Sequence, residues 1–194
     1  RGGILLACMT GNVGISGGWA SGVADFKQHK NPSFPSIPNP YGKMIPVYCW
    51  TDAVDHGAEM TELDGVKPIG REMKLNEKMH LDANIKMIFN LAGNSLVNQH
   101  GDINRTIKIL KDPSKCEFIV CSDLFMTASA KFADILLPGV SMFECENITM
   151  PWQYGDFLGF NNQVMEPLFE GRFEYDWLVE VADRLGLKTE FSLG

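Results

Sequence analysis

Apolar residues gather into three short runs in the second half of the chain. Ile85–Leu91 is interrupted only by Lys86 and Asn90, Glu117–Cys121 reads Glu-Phe-Ile-Val-Cys, and Asp134–Leu137 reads Asp-Ile-Leu-Leu. Runs this short, bounded by turn residues, predict strands buried on both faces. Between the first two, Ile103, Ile107 and Leu110 fall on one helical face within Asp102–Lys111, and Asp112-Pro113 ends that element. Between the second and third, Thr127–Ala133 is short and favours helix, with Thr127 placed to cap it. A final helix over Phe173–Leu185 sets Tyr175, Leu178, Val179, Ala182 and Leu185 on one face and stops at Gly186. Strand, helix, strand, helix, strand predicts an α/β fold. Its sheet is expected to be open, mostly parallel and doubly wound, Rossmann-like or flavodoxin-like, with right-handed crossovers and helices on both faces.

The first half carries a weaker pattern. Ile4, Leu5, Cys8 and Met9 have helical spacing, stopped by Gly11-Asn12. From Asn12 to about Pro46 the composition turns to Gly, Pro, Ser and Asn, which predicts a long irregular N-terminal arm. An arm of that length is expected to pack on something. Thr51–Met60 reads as a short helix capped by Thr51, and Glu62–Leu81 has mixed charge and little periodicity. The chain therefore divides into residues 1–82, an N-terminal helix and arm crossing from a preceding domain, and residues 83–194, an α/β domain.

Composition narrows the chemistry. With 194 residues, 45% hydrophobic and 21% charged, the chain can bury a sizeable core. A net charge of −7 and a pI near 5.1 leave no basic stripe for a phosphate backbone, so nucleic acid is not expected as a partner. Five cysteines without a CxxC pair support neither a disulfide framework nor a zinc ribbon. The four histidines show no HxxxH or HxH spacing, so no metal ligand is assigned. The opening Arg1-Gly2-Gly3-Ile4 has neither an initiator Met nor a charged-then-apolar leader, and the chain reads as an internal piece of a longer protein.

In open parallel sheets, ligands sit at the carboxyl ends of the strands. Three loops qualify here: Ala92-Gly93-Asn94-Ser95, Ser122–Thr127 and Pro138-Gly139. Gly93 permits close backbone approach, and Asn94 and Ser95 offer small uncharged hydrogen-bonding groups suited to a nucleotide. The same Gly-Asn pair also serves as a plain turn out of a strand. Asp123 follows a buried strand, where its carboxylate either caps the next helix or receives the two parallel N–H donors of a guanine base. No GxGxxG or GxxxxGK[ST] occurs, so nicotinamide dinucleotides and P-loop triphosphates are not indicated; no Ser/His/Asp arrangement supports a hydrolase nucleophile, and no catalytic residue is assigned. Phe143-Glu144-Cys145-Glu146-Asn147 places two carboxylates about a thiol, which a charged loop after a strand explains.

Leu91–Ser95, Cys116–Asp123 and Thr127-Ala-Ser-Ala-Lys-Phe-Ala-Asp-Ile-Leu-Leu-Pro138, in that order, resemble the molybdopterin oxidoreductases. Met9-Thr-Gly-Asn-Val-Gly-Ile-Ser-Gly-Gly18 and the stretch Phe173–Gly186 agree with the same family. Ser95 stands where many members have proline, and Glu144–Trp152 resembles the dimethyl sulfoxide reductase branch. The resemblance implies a molybdenum-dependent reductase of sulfoxides or N-oxides whose metal is held by two molybdopterin guanine dinucleotides. It implies that this segment forms part of the site for one of them. Ala92, Gly93 and Asn94 would line the nucleotide, Ser122 and Asp123 would read ribose and guanine, and Asn12 and Gly14 would lie nearer the pterin. Implied partners are the remaining domains of the same chain, an iron–sulfur electron-transfer subunit and a membrane anchor subunit. The parent is expected to serve anaerobic respiration, exported and held at a membrane through that anchor. Nothing in the segment corresponds to cluster cysteines or to the metal's protein ligand, so it is not expected to catalyse by itself. A free-standing nucleotide-binding or interaction module with a flavodoxin-like sheet is the competing reading.

Overall fold

A computed structural model describes residues 2–18, 39–99, 101–149 and 157–192. The core of the expected arm, residues 19–38, lies outside the described residues. Two compact units emerge: residues 1–34 with 149–159, and residues 35–148 with 160–194.

In the first unit, α1 (Gly2–Met9) forms where the helical spacing predicts it. The helix stops in a glycine-dependent turn: the Gly11 N–H donates to the Cys8 carbonyl at 3.2 Å, and the Asn12 N–H reaches the Ala7 carbonyl at 2.9 Å. Gly11 makes this possible through its φ of 72°, a left-handed conformation that side chains disfavour.

In the second unit, β1 (Lys43–Met44) is followed by α2 (Trp50–His56), and β1 pairs antiparallel with β2 (Lys67–Pro68). The cap expected at Thr51 is not formed. Cys49 precedes the helix without a side-chain cap, and Thr51, 6% exposed, is buried inside it. The helix also ends before Met60. Gly57 opens a 3-10 turn, and a Cβ at Gly57 would stand 2.6 Å from the Ala83 carbonyl, a backbone approach that only glycine allows. Ala53, Met60, Val66 and Leu81 bury a small core here.

The three apolar runs become β3 (Met87–Leu91), β4 (Phe118–Asp123) and β5 (Ile135–Pro138), joined in the order β3-β4-β5. Both pairings are parallel, with Leu91 beside Ser122 and Asp123 beside Pro138. Before β4 come α3 (Ser95–Asn98) and α4 (Ile103–Leu110). Asp102 caps α4 by accepting from the Arg105 N–H at 3.2 Å. Arg105 in turn donates to Asp52 at 2.7 Å and Asp55 at 3.0 Å, tying α4 to α2, and Lys115 also pairs with Asp55. These cations hold the Asp55 carboxyl below its ordinary range, Lys115 contributing most.

Burial is asymmetric. Ile119 and Cys121 pack with Val54, Leu96, Ile109, Leu110 and Ala130, so α2, α3 and α4 supply the cover for one face of the sheet. The expectation of strands buried on both faces holds for β4, whose Ile119, Val120, Cys121 and Ser122 are all buried, but not for its neighbours. Met87, Phe89 and Leu91 of β3 are 43–49% exposed, and Ile135 of β5 is 44% exposed. Strands flanking a central one have only one ladder partner each, and side chains alternate between faces, so the uncovered face shows every second residue.

The second crossover is not a helix but a 3-10 turn, Ala130–Phe132. Thr127 does accept the Ala130 N–H at 3.1 Å, which closes a turn instead of starting a helix. Next come the paired short strands β6 (Asn147–Thr149) and β7 (Gly159–Asn161), then α5 (Glu174–Arg184) and α6 (Lys188–Ser192). Helix α5 stops as predicted, with Gly186 at φ 72° and the Leu187 N–H returned to the Ala182 carbonyl at 2.8 Å. Its buried residues are Trp177 and Ala182. Tyr175, expected on the buried face, is 46% exposed and stacks on Phe191 of α6 at 5.8 Å, while Leu185 is 68% exposed.

Candidate functional site

The carboxyl ends of the three parallel strands bring three of the predicted loops side by side. The Ala92 N–H donates to the Ser122 carbonyl at 2.8 Å, which sets the first loop against the end of β4. The Gly139 N–H donates to the Asp123 carbonyl at 3.1 Å, which sets the third loop on its other side. Ala92, Gly93, Asn94, Ser122 and Asp123 thus share one end of one sheet. Asn12 and Gly14 belong to the first unit, where the Asn12 amide donates to Thr10 Oγ1 at 2.8 Å and Gly14 sits at φ 76° with open space about its Cα.

Each residue of the group has a distinct situation. Ala92 is exposed and takes a φ of 50°, turning the chain sharply out of β3. At Gly93 the nearest atoms to a built Cβ lie 3.8 Å away, so the ledge beside it is open. Asn94 is turned inward: its Oδ1 accepts from the Ser129 N–H at 3.0 Å and the Ser129 hydroxyl at 2.8 Å. Ser122 is fully buried, and its hydroxyl donates to Glu174 Oε1 at 3.2 Å. Asp123 is half-buried, and its Oδ1 accepts the Phe125 N–H at 3.1 Å, the geometry of an Asx turn. The other oxygen, Oδ2, has no partner among the described residues.

Three residues of this region lay beyond the sequence reading. Asn90, 4% exposed, donates to the Gly93 carbonyl and accepts from the Ser95 hydroxyl, each at 2.6 Å, so it braces the loop from inside. Its signal was available: it is the polar interruption of an apolar run, and a buried amide is retained only when its bonds are made. Ser129, fully buried, clamps Asn94 and also accepts the Val97 N–H at 3.2 Å. Glu174, at the start of α5, covers Ser122 from 52 positions away, and no local pattern announces it. Burial raises the Cys121 thiol, with an Asn90 hydrogen bond acting against it; this cysteine is a neutral core residue.

The Glu144 cluster is built differently from a charged loop. Glu144 is 8% exposed, and its carboxylate accepts the Ser141 N–H at 2.8 Å, the Ser141 hydroxyl at 2.6 Å and the Leu168 N–H at 2.7 Å. The Val164 and Met165 N–H groups also reach the Phe143 carbonyl, at 2.9 and 3.1 Å. This carboxylate therefore staples residues 164–168 onto the loop after β5, and the Arg172 N–H then closes on the Pro138 carbonyl at 3.0 Å, delivering α5 to the site. Donation from the Ser141 side chain, then from the Ser141 and Leu168 backbones, holds the Glu144 carboxyl below its ordinary range. A lowered carboxyl contributes stability above its unfolded pKa and loses it as pH falls through the folded value. Glu144→Gln is expected to cut amide protection at Leu168 by about tenfold at neutral pH, with the wild type converging on the variant as pH falls through the lowered range of the Glu144 carboxyl. Hydrogen exchange at Leu168 measures it, and equal protection in both proteins at pH 7 would refute the staple.

Known proteins share this arrangement of sequence. The family model described as molybdopterin oxidoreductase matches residues 4–184. Dimethyl sulfoxide reductase DmsA of Escherichia coli is 42% identical over 193 residues, covering 98% of this chain and 23% of that protein. Dimethyl sulfoxide/trimethylamine N-oxide reductase of Rhodobacter capsulatus is 31% identical over 206 residues, covering 98% of this chain and 24% of that protein. The solved structure of acetylene hydratase from Pelobacter acetylenicus is similar at 33% identity and a TM-score of 0.49, over 57% of this chain and 15% of that one. The chain spans just under a quarter of the length of the curated relatives it matches.

Proposed function

The chain belongs to the molybdopterin oxidoreductase family, and from that premise we propose that it is a segment of a larger dimethyl sulfoxide or N-oxide reductase, forming part of the site for one molybdopterin guanine dinucleotide. The observation that supports this most is the assembly of three loops at one end of a parallel sheet, in a chain 42% identical to a dimethyl sulfoxide reductase. The residues suit the group. Gly93 leaves an open ledge for a phosphate-bearing chain, Asp123 keeps a carboxylate oxygen without a partner among the described residues for the guanine edge, and Ala92 and Gly93 bring no charge of their own. When bound, the cofactor supplies the redox chemistry that removes oxygen from the substrate. This chain's residues position it: Asn90 and Asn94 fix the first loop, the Phe125 turn aims Asp123, and Glu144 brings α5 across.

The same proposal includes a doubly wound sheet. The half-exposed Met87, Phe89, Leu91 and Ile135 support helical cover over the second face, since water-facing strands carry polar residues there. It also includes Asn12 and Gly14 near the pterin, an iron–sulfur electron-transfer subunit and a membrane anchor subunit as partners, and an exported parent. The competing reading, a free-standing module without redox activity, is not favoured, because the family model covers residues 4–184. The test is chemical. The full-length protein, purified anaerobically, is expected to contain molybdenum and to release about two GMP per metal on acid hydrolysis, read by metal analysis and chromatography. Release of no guanine nucleotide would overturn the proposal.

A further inference from the structure

Residues 162–173 form neither helix nor strand, and residues 162–170 are exposed throughout, with Val164 at 71%, Leu168 at 55% and Phe169 at 100%. Polar bonds hold this segment to the fold, and they converge on one loop. At one end the Asn161 amide donates to the Cys145 carbonyl at 3.0 Å, and at the other the Arg172 N–H closes on the Pro138 carbonyl. Between these anchors the Val164 and Met165 N–H groups reach the Phe143 carbonyl, and the Leu168 N–H reaches Glu144. We propose that residues 162–171 are a strap that opens by local unfolding, that the buried Glu144 carboxylate is its latch, and that ligand enters and leaves the site beneath only while the strap is open. This role rests on the nucleotide site proposed above and adds how that site opens and closes.

The strap covers space when closed. A cavity of about 410 Å³ is lined by its Pro167 and Gly171 together with Val140, Cys145, Phe173 and Asp176, a volume within the range of ligand pockets. Its seat is close. A Cβ at Gly171 would lie 3.0 Å from the Leu168 carbonyl oxygen and 3.1 Å from that of Gly139, so backbone meets backbone over the loop after β5. The closed state also carries strain: Phe169 holds a φ of 55°, which a bulky side chain disfavours, while its ring lies in solvent and gains no packing in return. Opening releases it. The latch divides its two oxygens, with Glu144 Oε2 accepting the Ser141 N–H and hydroxyl from the loop and Oε1 accepting the Leu168 N–H from the strap. Among the described residues, neither buried core of this unit includes a strap residue. The strap can therefore open at the cost of these few bonds, well before the sheet does.

A gate and a ligand contact leave different kinetic signatures. Opening that precedes both entry and exit multiplies the two rates equally and cancels from their ratio. Loss of a contact raises the release rate and leaves entry unchanged. The experiment times association and dissociation of tritiated GDP with the full-length protein prepared without its cofactor. Glu144→Gln is expected to raise both rates about tenfold, in step with the lost amide protection at Leu168, while Kd changes less than about twofold. Ser141→Ala removes one of the donors that set the carboxylate and is expected to raise both rates about threefold. In the holoenzyme, Glu144→Gln is expected to release pterin into the filtrate about tenfold faster, a readout that serves where GDP is held too weakly to time. Faster dissociation with unchanged association would make Glu144 a ligand contact and overturn the gate. Unchanged GDP rates, or unchanged pterin release, would overturn it equally while the nucleotide site stands. If the wild type binds no guanine nucleotide and the holoenzyme yields none on hydrolysis, the site itself falls and the strap's role with it. Should Glu144→Gln lose its native circular dichroism, Ser141→Ala carries the test, and rates equal to wild type overturn the inference.

Discussion

Asn90→Leu is expected to destabilise the protein by about 2–3 kcal/mol and to loosen residues 91–96 ahead of the rest of the sheet. The side chain is 4% exposed on β3, beside Cys121 in register, and leucine is close to it in size. Volume is therefore not the source of the effect. Among the described residues Asn90 is the one inward group that satisfies both the Gly93 carbonyl and the Ser95 hydroxyl, each at 2.6 Å. Without it the turn at Ala92, already at a φ of 50°, loses the interior brace that offsets its strain. Ser95→Ala removes one of the two bonds and should cost about 1 kcal/mol. The pair should be coupled: because Asn90→Leu already deletes the Ser95 bond, adding Ser95→Ala should cost less than it does alone. Urea unfolding of the full-length protein and the three variants gives the cycle. A loss below about 0.5 kcal/mol for Asn90→Leu would show that water replaces both bonds and that the loop does not depend on this residue.

That brace shows what sequence could and could not reveal. The three strands were legible because continuous apolar runs have few alternatives, and the ends of α1 and α5 were legible because Gly11 and Gly186 meet a local geometric demand. The helix expected over Thr127–Ala133 is cut to one 3-10 turn because Ala133 is already extended, at φ −73° and ψ 138°, and Asp134 after it is held by Ile119 of β4, its N–H donating to the Ile119 carbonyl at 2.8 Å and its Oδ2 accepting the Ile119 N–H at 2.7 Å. Two bonds from Ser129 explain why Asn94, read as a ligand amide, has its carbonyl oxygen occupied by the protein. Ser122, read as the first residue of the loop after the second strand, is instead a buried residue of β4 that donates to Glu174, because sequence pattern cannot say where a helix from 52 positions away will land. Thr51 looked like a cap because its residue type caps helices, whereas the core packing of Ala53 and Val54 places it within the first turn. In each case the local pattern named the residue as important and tertiary contact decided what it does.

Asp123→Asn is expected to weaken GDP binding to the cofactor-free full-length protein about a hundredfold while leaving stability within about 0.5 kcal/mol. Guanine offers two parallel N–H donors, and a carboxylate meets them with two acceptors. Because the Phe125 N–H donates to Asp123 Oδ1 at 3.1 Å, the asparagine that replaces it is not free to choose its orientation. Its carbonyl oxygen keeps the Phe125 bond, which preserves the turn and the fold, and its amide nitrogen is driven into the outward position held by Oδ2. Donor then faces donor at the base. The loss should fall on guanine specifically. Inosine diphosphate lacks the exocyclic amine, so it should bind the wild type about tenfold more weakly than GDP and the variant about as well as GDP does. Calorimetry with the two nucleotides reads both effects in one series. Unchanged GDP affinity in Asp123→Asn would mean that the carboxylate serves only the Phe125 turn, and the guanine edge would have to be sought elsewhere along the loops of β3 and β5.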